Sequence, residues 1–451
     1  MVTRHFFIEI LMLHQENFGD DKVIKFQSPR GMHDILPEDH DYFTVVKKAV
    51  RHRCRQAAFR RISTPVMEDA GVFDRSLGAE TDVLQKEMYR LTMGDNTYAL
   101  RPEGTAGICR AYLEHGMASW PQPVQLYYIE PNFRHDRPQK GRYRQFFQYG
   151  VEVLGGRDPS LDAQIILLAS KILEDLLVRD RFTLQINTIG TAENRKAYEN
   201  ALRDYFLPKK RNLSEDSQQR IDSNPLRILD SKDEDDKILA ELAPKFEGYL
   251  DDEAKEYFEK VRHFLDQLGI QYEINQKLVR GLDYYCDTVF EFIDSDGLTV
   301  CGGGRYDGLM EMLGGEPTPG FGFAAGVERL ALHLKDAGVV PPEKDNVDIY
   351  VACIGDPAKG KAMRLISDLH DMGLHVRGAI GKASLKNQLR MADKFGARWT
   401  LILGDVEVRE NIIILRDMKE GVQERIPFDG ILHRMNELLV EQKPDTWKMG
   451  E

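Results

Sequence analysis

Between residues 142 and 153 the chain reads RYRQFFQYGVEV, and its two alternating sets of positions differ in kind. Tyr143, Gln145, Phe147, Tyr149, Val151 and Val153 form one side of an extended chain, mostly apolar and suited to a core. Arg142, Arg144, Phe146, Gln148, Gly150 and Glu152 form the other, which joins two cations, a ring, an amide, a glycine and a carboxylate. Upstream, VQLYYIEPNFRH places Leu126, Tyr128, Glu130, Asn132 and Arg134 on one side in the same way. DRPQKG lies between the two segments, and its Pro138 and Gly141 mark a turn, so the pair predicts a long antiparallel hairpin with a cationic tip.

Helical spacing of Phe43, Val46, Ala49 and Val50 predicts a helix from about Glu38 to Phe59, ending before ISTPVME, where Pro65 forbids a helix interior. MYRLTM and TYALRPE read as strands. From about residue 195 to 271 the pattern becomes helical with Asp and Glu in excess, which predicts an inserted helical subdomain. Strand signals return at KLVRGLDYYCDTVFEF, followed by a turn-rich CGGGRYDG and by PGFGFAAGVERLALHL, a strand running into a helix. VVPPEKDN (Val339–Asn346) reads as a linker. Beyond it VDIYVACIG, LHVRGAI and WTLILG alternate with helices and predict a small α/β domain with a mainly parallel sheet.

Composition narrows the class. A chain of 451 residues, 42% hydrophobic and 30% charged, has material for two or three globular domains. A net charge of −12 excludes a basic nucleic-acid coat, so any nucleic acid must meet local patches. The five cysteines are scattered, odd in number and without a C-x-x-C pair, which favours reduced thiols in a cytosolic protein over a disulfide frame or a zinc site. No apolar run approaches the roughly 18–20 residues that cross a bilayer. The opening MVTRHFFIEILMLHQENFGDD is interrupted by Glu9, lacks a small-residue cleavage site and does not read as a signal peptide.

Guanidiniums match phosphate oxygens and a ring suits a nucleobase, while a carboxylate and an amide further along suit a cationic or imidazole-bearing ligand. One nucleotide and one amino acid could therefore lie end to end on the hairpin, although a solvated outer face alternates in the same way. In RPEGT, Thr105 is a natural N-cap, and Glu103 is either a surface or capping carboxylate or an acceptor for an ammonium group. CGGGRYDGL is not a P-loop, and GFGFAA, a loose G-x-G-x-x-A match, lacks the βαβ unit of a dinucleotide site. Arg329, near a helix start, is an anion ligand or an ordinary surface arginine. Lys382, Lys386, Arg390, Lys394 and Arg398 recur every fourth residue through a predicted helix around 384–397, as a solvated face or as the footprint of a polyanion.

In order, RGMHDILP, LRPEGT, FRHDRPQKGRYRQFFQYGVEVLG, NPLRILDSKD, LVRGLDYY, GGGRYDGL and GFGFAAGVERL resemble the histidyl-tRNA synthetases of bacterial type, class II aminoacyl-tRNA synthetases, from about residue 28 to 440. The resemblance implies an α+β catalytic domain, an antiparallel sheet flanked by helices, over 28–195 and 272–338. It implies a helical insertion over 196–271 and an anticodon-binding α/β domain over 346–440, with residues 1–27 an extension that has no counterpart. It further implies a cytoplasmic homodimer, formed partly through the segment ending near Pro65, that acts on ATP, L-histidine and tRNA(His), with Mg2+ accompanying ATP on unassigned ligands. By motif, Glu103, Thr105 and Gln148 would hold the α-amino group of histidine, Glu152 and Tyr285 its imidazole, and Tyr284 and Tyr306 would line that pocket. Arg134 and Arg280 would flank the α-phosphate as the catalytic pair, Arg142 and Arg329 would hold the outer phosphates, and Phe146 would stack on adenine. Arg137 and Gln139 would meet the acceptor end of tRNA, and Lys386 and Arg390 are the candidates for tRNA contact in the last domain. A regulatory paralogue of this fold, which activates ATP phosphoribosyltransferase and binds histidine without charging tRNA, is the competing class; it typically lacks the C-terminal domain and the ATP-facing arginines.

Overall fold

The computed structural model describes residues 26–77, 86–229, 231, 233–341, 347–378 and 384–441, so most of the N-terminal extension, much of the linker and Lys382 lie outside the described residues. The chain divides into two compact units, Met1–Val340 and Pro341–Glu451.

In the first unit the strands are Arg60–Arg61 (β1), Met67–Asp69 (β2), Arg90–Met93 (β3), Asn96–Leu100 (β4), Val124–Phe133 (β5), Gln145–Leu154 (β6), Thr183–Thr188 (β7), Glu273–Ile274 (β8), Cys286–Ile293 (β9), Thr299–Arg305 (β10) and Gly320–Gly326 (β11). Eight of them form one sheet in the order β1-β5-β6-β11-β10-β9-β7-β8, and β2, β4 and β3 form a smaller one. The large sheet is antiparallel except where the two short edge strands β1 and β8 join it.

Alternation decides which face is covered. Tyr149, Val151 and Val153 of β6, Phe290 and Phe292 of β9, and Phe321 and Phe323 of β11 all enter one buried apolar cluster. The helices Pro37–Gln56, Pro159–Asp175, Asp252–Gln267 and Val327–Asp336 pack on that face through Val46, Val50, Ile166, Ile172, Val261, Leu265, Leu330 and Leu334. Local signals set the helix ends: Pro37 and Pro159 stand at first-turn positions, and Asp158 accepts from the Ser160 N–H at 2.8 Å. Arg53 makes a forked pair with Asp175 at 2.7 and 2.5 Å, joining the last turns of two of these helices.

The segment Ala192–Tyr249 has a core of its own, with Tyr198, Leu202, Phe206, Ile221, Leu226 and Ile228 at its centre. Asp236 organises it by accepting from the hydroxyls of Ser214, Ser217 and Ser231 at 2.7, 2.6 and 2.6 Å.

Two local expectations fail here. Cys301–Arg305 of the glycine run is strand, not turn. A Cβ on Gly303 would stand 2.0 Å from the Gly322 carbonyl oxygen, and one on Gly304 would stand 2.5 Å from that of Thr288, so the close approach of neighbouring strands excludes side chains there. In KLVRGLDYYCDTVFEF the strand begins only at Cys286, and residues 278–285 are a loop.

In the second unit Ile349–Cys353 (β12), Val376–Gly378 (β13), Trp399–Leu403 (β14), Ile412–Asp417 (β15) and Gln423–Pro427 (β16) form a sheet ordered β13-β12-β14-β15-β16. β12, β13 and β14 are parallel, but β15 and β16 add an antiparallel hairpin, so the sheet is mixed rather than mainly parallel. The cationic helix is Leu385–Lys394, shorter than the spacing predicts, because Gly396 adopts φ +65° just past its end. Arg398 lies beyond it and pairs with Asp417 at 2.6 and 2.9 Å, which removes it from the row. Among the described residues no helix is long and apolar enough to cross a membrane.

Candidate active site

The face of the large sheet opposite the apolar cluster is a floor whose rows follow from strand register. One row runs Leu126, Glu152, Gly322, Gly304, Val289 and Asn187 across β5, β6, β11, β10, β9 and β7. The next runs Tyr128, Gly150, Ala324, Gly302 and Glu291, and beyond it Glu130 pairs with Gln148 and Asn132 with Phe146. Two glycines let long side chains lie flat on this floor. A Cβ on Gly322 would stand 1.9 Å from Glu152 Oε2, and one on Gly302 would stand 2.5 Å from Arg280 Nη1.

One end of the floor is carboxylic. Glu152 is 1% exposed and accepts from the Thr105 hydroxyl at 2.8 Å and the Tyr306 hydroxyl at 2.5 Å. Burial pushes its carboxyl up to about 8 against those two hydroxyls, and the neighbouring charge of Glu103 adds to the rise. Tyr284 and Tyr285 are buried beside it, with ring centroids 4.7 Å apart, and Tyr284 lies 5.8 Å from Tyr306. Thr105 is not the N-cap of its helix, which runs Thr105–Glu114. Its hydroxyl is committed to Glu152, and the Glu103 carboxylate takes over the capping, accepting from the Thr105 and Ala106 N–H groups at 2.6 and 2.8 Å. Burial raises the Glu103 pKa, while those N–H groups and the Arg134 charge oppose the rise. Gln148 accepts from Asn132 Nδ2 at 2.7 Å.

The other end is cationic. Arg134 donates through Nε to the Pro102 carbonyl at 2.8 Å and lies 5.7 Å over the Phe146 ring. Arg329, in the first turn of Val327–Asp336, donates to the Gly141 carbonyl at 2.9 Å and to that of Thr299. Burial lowers the Arg329 pKa, and the charges of Arg142 and Arg134 lower it further. Arg280 pairs with Glu291, whose other oxygen accepts from the Thr299 hydroxyl at 2.7 Å, and it lies 5.4 Å over the Tyr285 ring. Arg142 and Arg144 precede β6, so strand alternation does not govern them. Arg142 pairs with Asp136, and Arg144 leaves the floor to bond the carbonyls of Asp136 and Arg30 at 3.1 and 3.3 Å. Arg137 and Gln139 are exposed on the loop between β5 and β6, as are Lys386 and Arg390 on their helix in the second unit.

Three floor residues, Tyr128, Asn132 and Glu291, have no role assigned from the sequence. The Tyr128 hydroxyl, Asn132 Oδ1 and Arg280 Nε are buried polar atoms without a hydrogen-bond partner, a pattern that marks a surface shaped for a polar ligand. Tyr128 and Asn132 were within reach of sequence reasoning, since alternation puts both on the floor side of β5; Glu291 was not, because its register with Gly302 depends on the fold.

The profile of the family described as Histidyl-tRNA synthetase matches residues 31–330, and that described as Anticodon binding domain matches 348–438. A relative from Dehalococcoides mccartyi described as Histidine--tRNA ligase is 44% identical over 411 residues, 90% of this chain and 98% of the relative. A relative of the same description from Geobacillus sp. is 41% identical over 421 residues, 92% of this chain and 99% of its own. The crystal structure of apo S. aureus histidyl-tRNA synthetase superposes with a TM-score of 0.76 at 34% identity, covering 91% of this chain and 99% of that one. The chain belongs to the histidyl-tRNA synthetase family.

Proposed function

We propose that the floor binds ATP and histidine end to end and joins them as histidyl-adenylate, which the protein then transfers to the 3'-terminal adenosine of tRNA(His). The observation that carries this reading is one sheet face with a buried carboxyl, Glu152, held by Thr105 and Tyr306 at one end and, at the other, Arg134 over the Phe146 ring with Arg329 beside Gly141, which suits a cationic amino acid and a nucleotide end to end. The nucleotide is ATP: its outer phosphates go to Arg142 and Arg329, its α-phosphate to Arg134 and Arg280, and its adenine to Phe146. Histidine lies toward the carboxylic end. Its α-amino group meets Glu103, Thr105 and Gln148, and its imidazole meets Glu152 and Tyr285 in the pocket lined by Tyr284 and Tyr306.

The histidine carboxylate is already a nucleophile at neutral pH, so activation needs no general base. It attacks the α-phosphorus, the bond to the leaving pyrophosphate breaks in line, and charge on the equatorial oxygens is met by the two preorganised guanidiniums. A ribose hydroxyl of the tRNA then attacks the adenylate carbonyl and AMP departs. Selectivity follows from the burial of Glu152: a ligand without a ring N–H leaves a buried carboxyl unmatched, and such mismatches reject analogues by on the order of 10⁴–10⁵.

Two acidic places among the described residues, Glu291 and the Cys286, Asp287 and Asp307 cluster, do not fit a resident magnesium ion. Glu291 is taken up by Arg280 and Thr299. The Cys286, Asp287 and Asp307 cluster contains a thiol and is tied to Arg157 and Arg305, whereas magnesium favours oxygen ligands. The cation therefore enters with ATP as part of the substrate. Arg137 and Gln139 meet the acceptor end of the tRNA, and Lys386 and Arg390 meet its backbone in the second unit. The exposed Val66, Met67, Leu91 and Met93 on and beside the small sheet support a homodimer through that surface, and five free thiols suit the cytoplasm.

Histidine-dependent exchange of pyrophosphate into ATP tests the reading. We expect exchange with histidine and none without it; histidine binding without exchange would return the regulatory class. Neutralising Lys386 and Arg390 together is expected to lower tRNA charging and spare exchange, and equal loss of both activities would make those cations structural.

A further inference from the structure

We propose that Arg195 and Arg227, both in the Ala192–Tyr249 segment, are positioning residues that fix the loop carrying Arg280. This deepens the proposed function and rests on the assignment of Arg280 to the α-phosphate. Among the described residues, no main-chain to main-chain hydrogen bond outside the strand ladders involves residues 279–285. Side chains hold the loop instead. Asn187 Nδ2 on β7 donates to the Leu278 carbonyl at 3.0 Å, Arg227 Nη2 donates to the Gly281 carbonyl at 2.9 Å, and Arg195 donates to the Asp283 carbonyl and side chain at 2.8 and 3.2 Å.

Arg280 thus lies between two of these clamps, and Tyr284 and Tyr285 follow the third. A cavity lined by Arg195, Asn224, Arg227 and Arg280 adjoins the middle of the loop, while Leu278, Tyr284 and Tyr285 at its two ends are packed in an apolar cluster. The clamps are themselves firmly placed. Arg195 is on the helix Ala192–Phe206 and is braced by Glu199 at 3.1 Å, while Arg227 stands between Leu226 and Ile228, both buried in the core of that segment. Guanidinium donors to carbonyls are among the stronger hydrogen bonds, and Arg195 grips Asp283 at two atoms. Glu291 and the Tyr285 ring hold the Arg280 guanidinium itself, and the segment sets where the main chain that carries it stands over the floor. A shift of about 1 Å in a charge-stabilising group can cost on the order of 10²-fold in rate.

The test measures the single-turnover rate of adenylate formation for Arg195→Ala and Arg227→Ala, each alone and each combined with Arg280→Ala, on the full chain. Each single variant is expected to slow the step by at least about tenfold while the thermal midpoint and histidine affinity stay near wild type. In the Arg280→Ala background the same substitutions are expected to add nothing, because residues that act through one group do not lose it twice. Unchanged rates in the single variants overturn the proposal, as do losses that repeat in full on top of Arg280→Ala. A normal rate in Arg280→Ala alone overturns the phosphate assignment, and this inference with it. Should an alanine variant fold poorly, Arg195→Lys and Arg227→Lys carry the same comparison, since lysine keeps the charge and loses the planar fork.

Discussion

The two faces of the eight-stranded sheet are built from alternate residues of the same strands, yet they follow opposite rules. On the back, Tyr149, Val151, Val153, Phe290 and Phe321 are fully buried under four helices. On the front, the Tyr128 hydroxyl, Asn132 Oδ1 and Arg280 Nε are buried without partners, as the Tyr149 hydroxyl is on the back, but the front also carries the buried carboxyl of Glu152 and the guanidiniums of Arg134, Arg280 and Arg329. Each unmet polar group costs about 1–3 kcal/mol, and apolar burial at roughly 25 cal/mol per Å² on the other side offsets it. The back face holds the fold so that the front can stay poised for ligands. A substitution on one face should therefore read out in stability, and on the other in activity.

Phe290→Ala sets the stability side. Its ring packs 6.1 Å from both Phe321 and Phe323, and removing it should cost about 3–5 kcal/mol in denaturant unfolding while the folded fraction keeps its turnover. Arg280→Ala sets the activity side, with pyrophosphate exchange down by at least about 10²-fold and an unfolding midpoint near wild type. Comparable losses of stability and activity in both variants would erase the distinction between the faces.

A finer contrast comes from two buried tyrosines whose hydroxyls lack partners, Tyr128 on the floor and Tyr149 on the back. Tyr128→Phe is expected to weaken histidine activation by about 1 kcal/mol with little change in stability. Tyr149→Phe is expected to leave activity unchanged and to be neutral or mildly stabilising, since it deletes an unpaired polar atom. Equal behaviour of the two would mean that the floor hydroxyl is not held for a ligand.

The period of two that separates these faces was legible in the sequence of β5 and β6, because a half-covered strand must alternate. So were the helices around Val46 and Leu330 and the cations and carboxylates of the site. What escaped depends on partners distant in sequence. Thr105 has the chemistry of an N-cap, but Glu152, brought near by the sheet, takes its hydroxyl. The glycines of β10 look like a turn until the neighbouring strands show that no Cβ fits. Arg398 continues a cationic spacing, yet Asp417 claims it across a strand pair. Arg142 and Arg144 continue an alternation that ends at Gln145, where ladder pairing with β5 begins.

The most direct test of the floor as one surface for two ligands is calorimetric titration of Glu152→Gln and Arg329→Ala with histidine and with ATP separately. The expected pattern is crossed: Glu152→Gln loses at least roughly tenfold in histidine affinity and keeps ATP, and Arg329→Ala does the reverse. Loss of both ligands in each variant, or of neither, would contradict an arrangement with ATP at the guanidinium end and histidine at the carboxylate end.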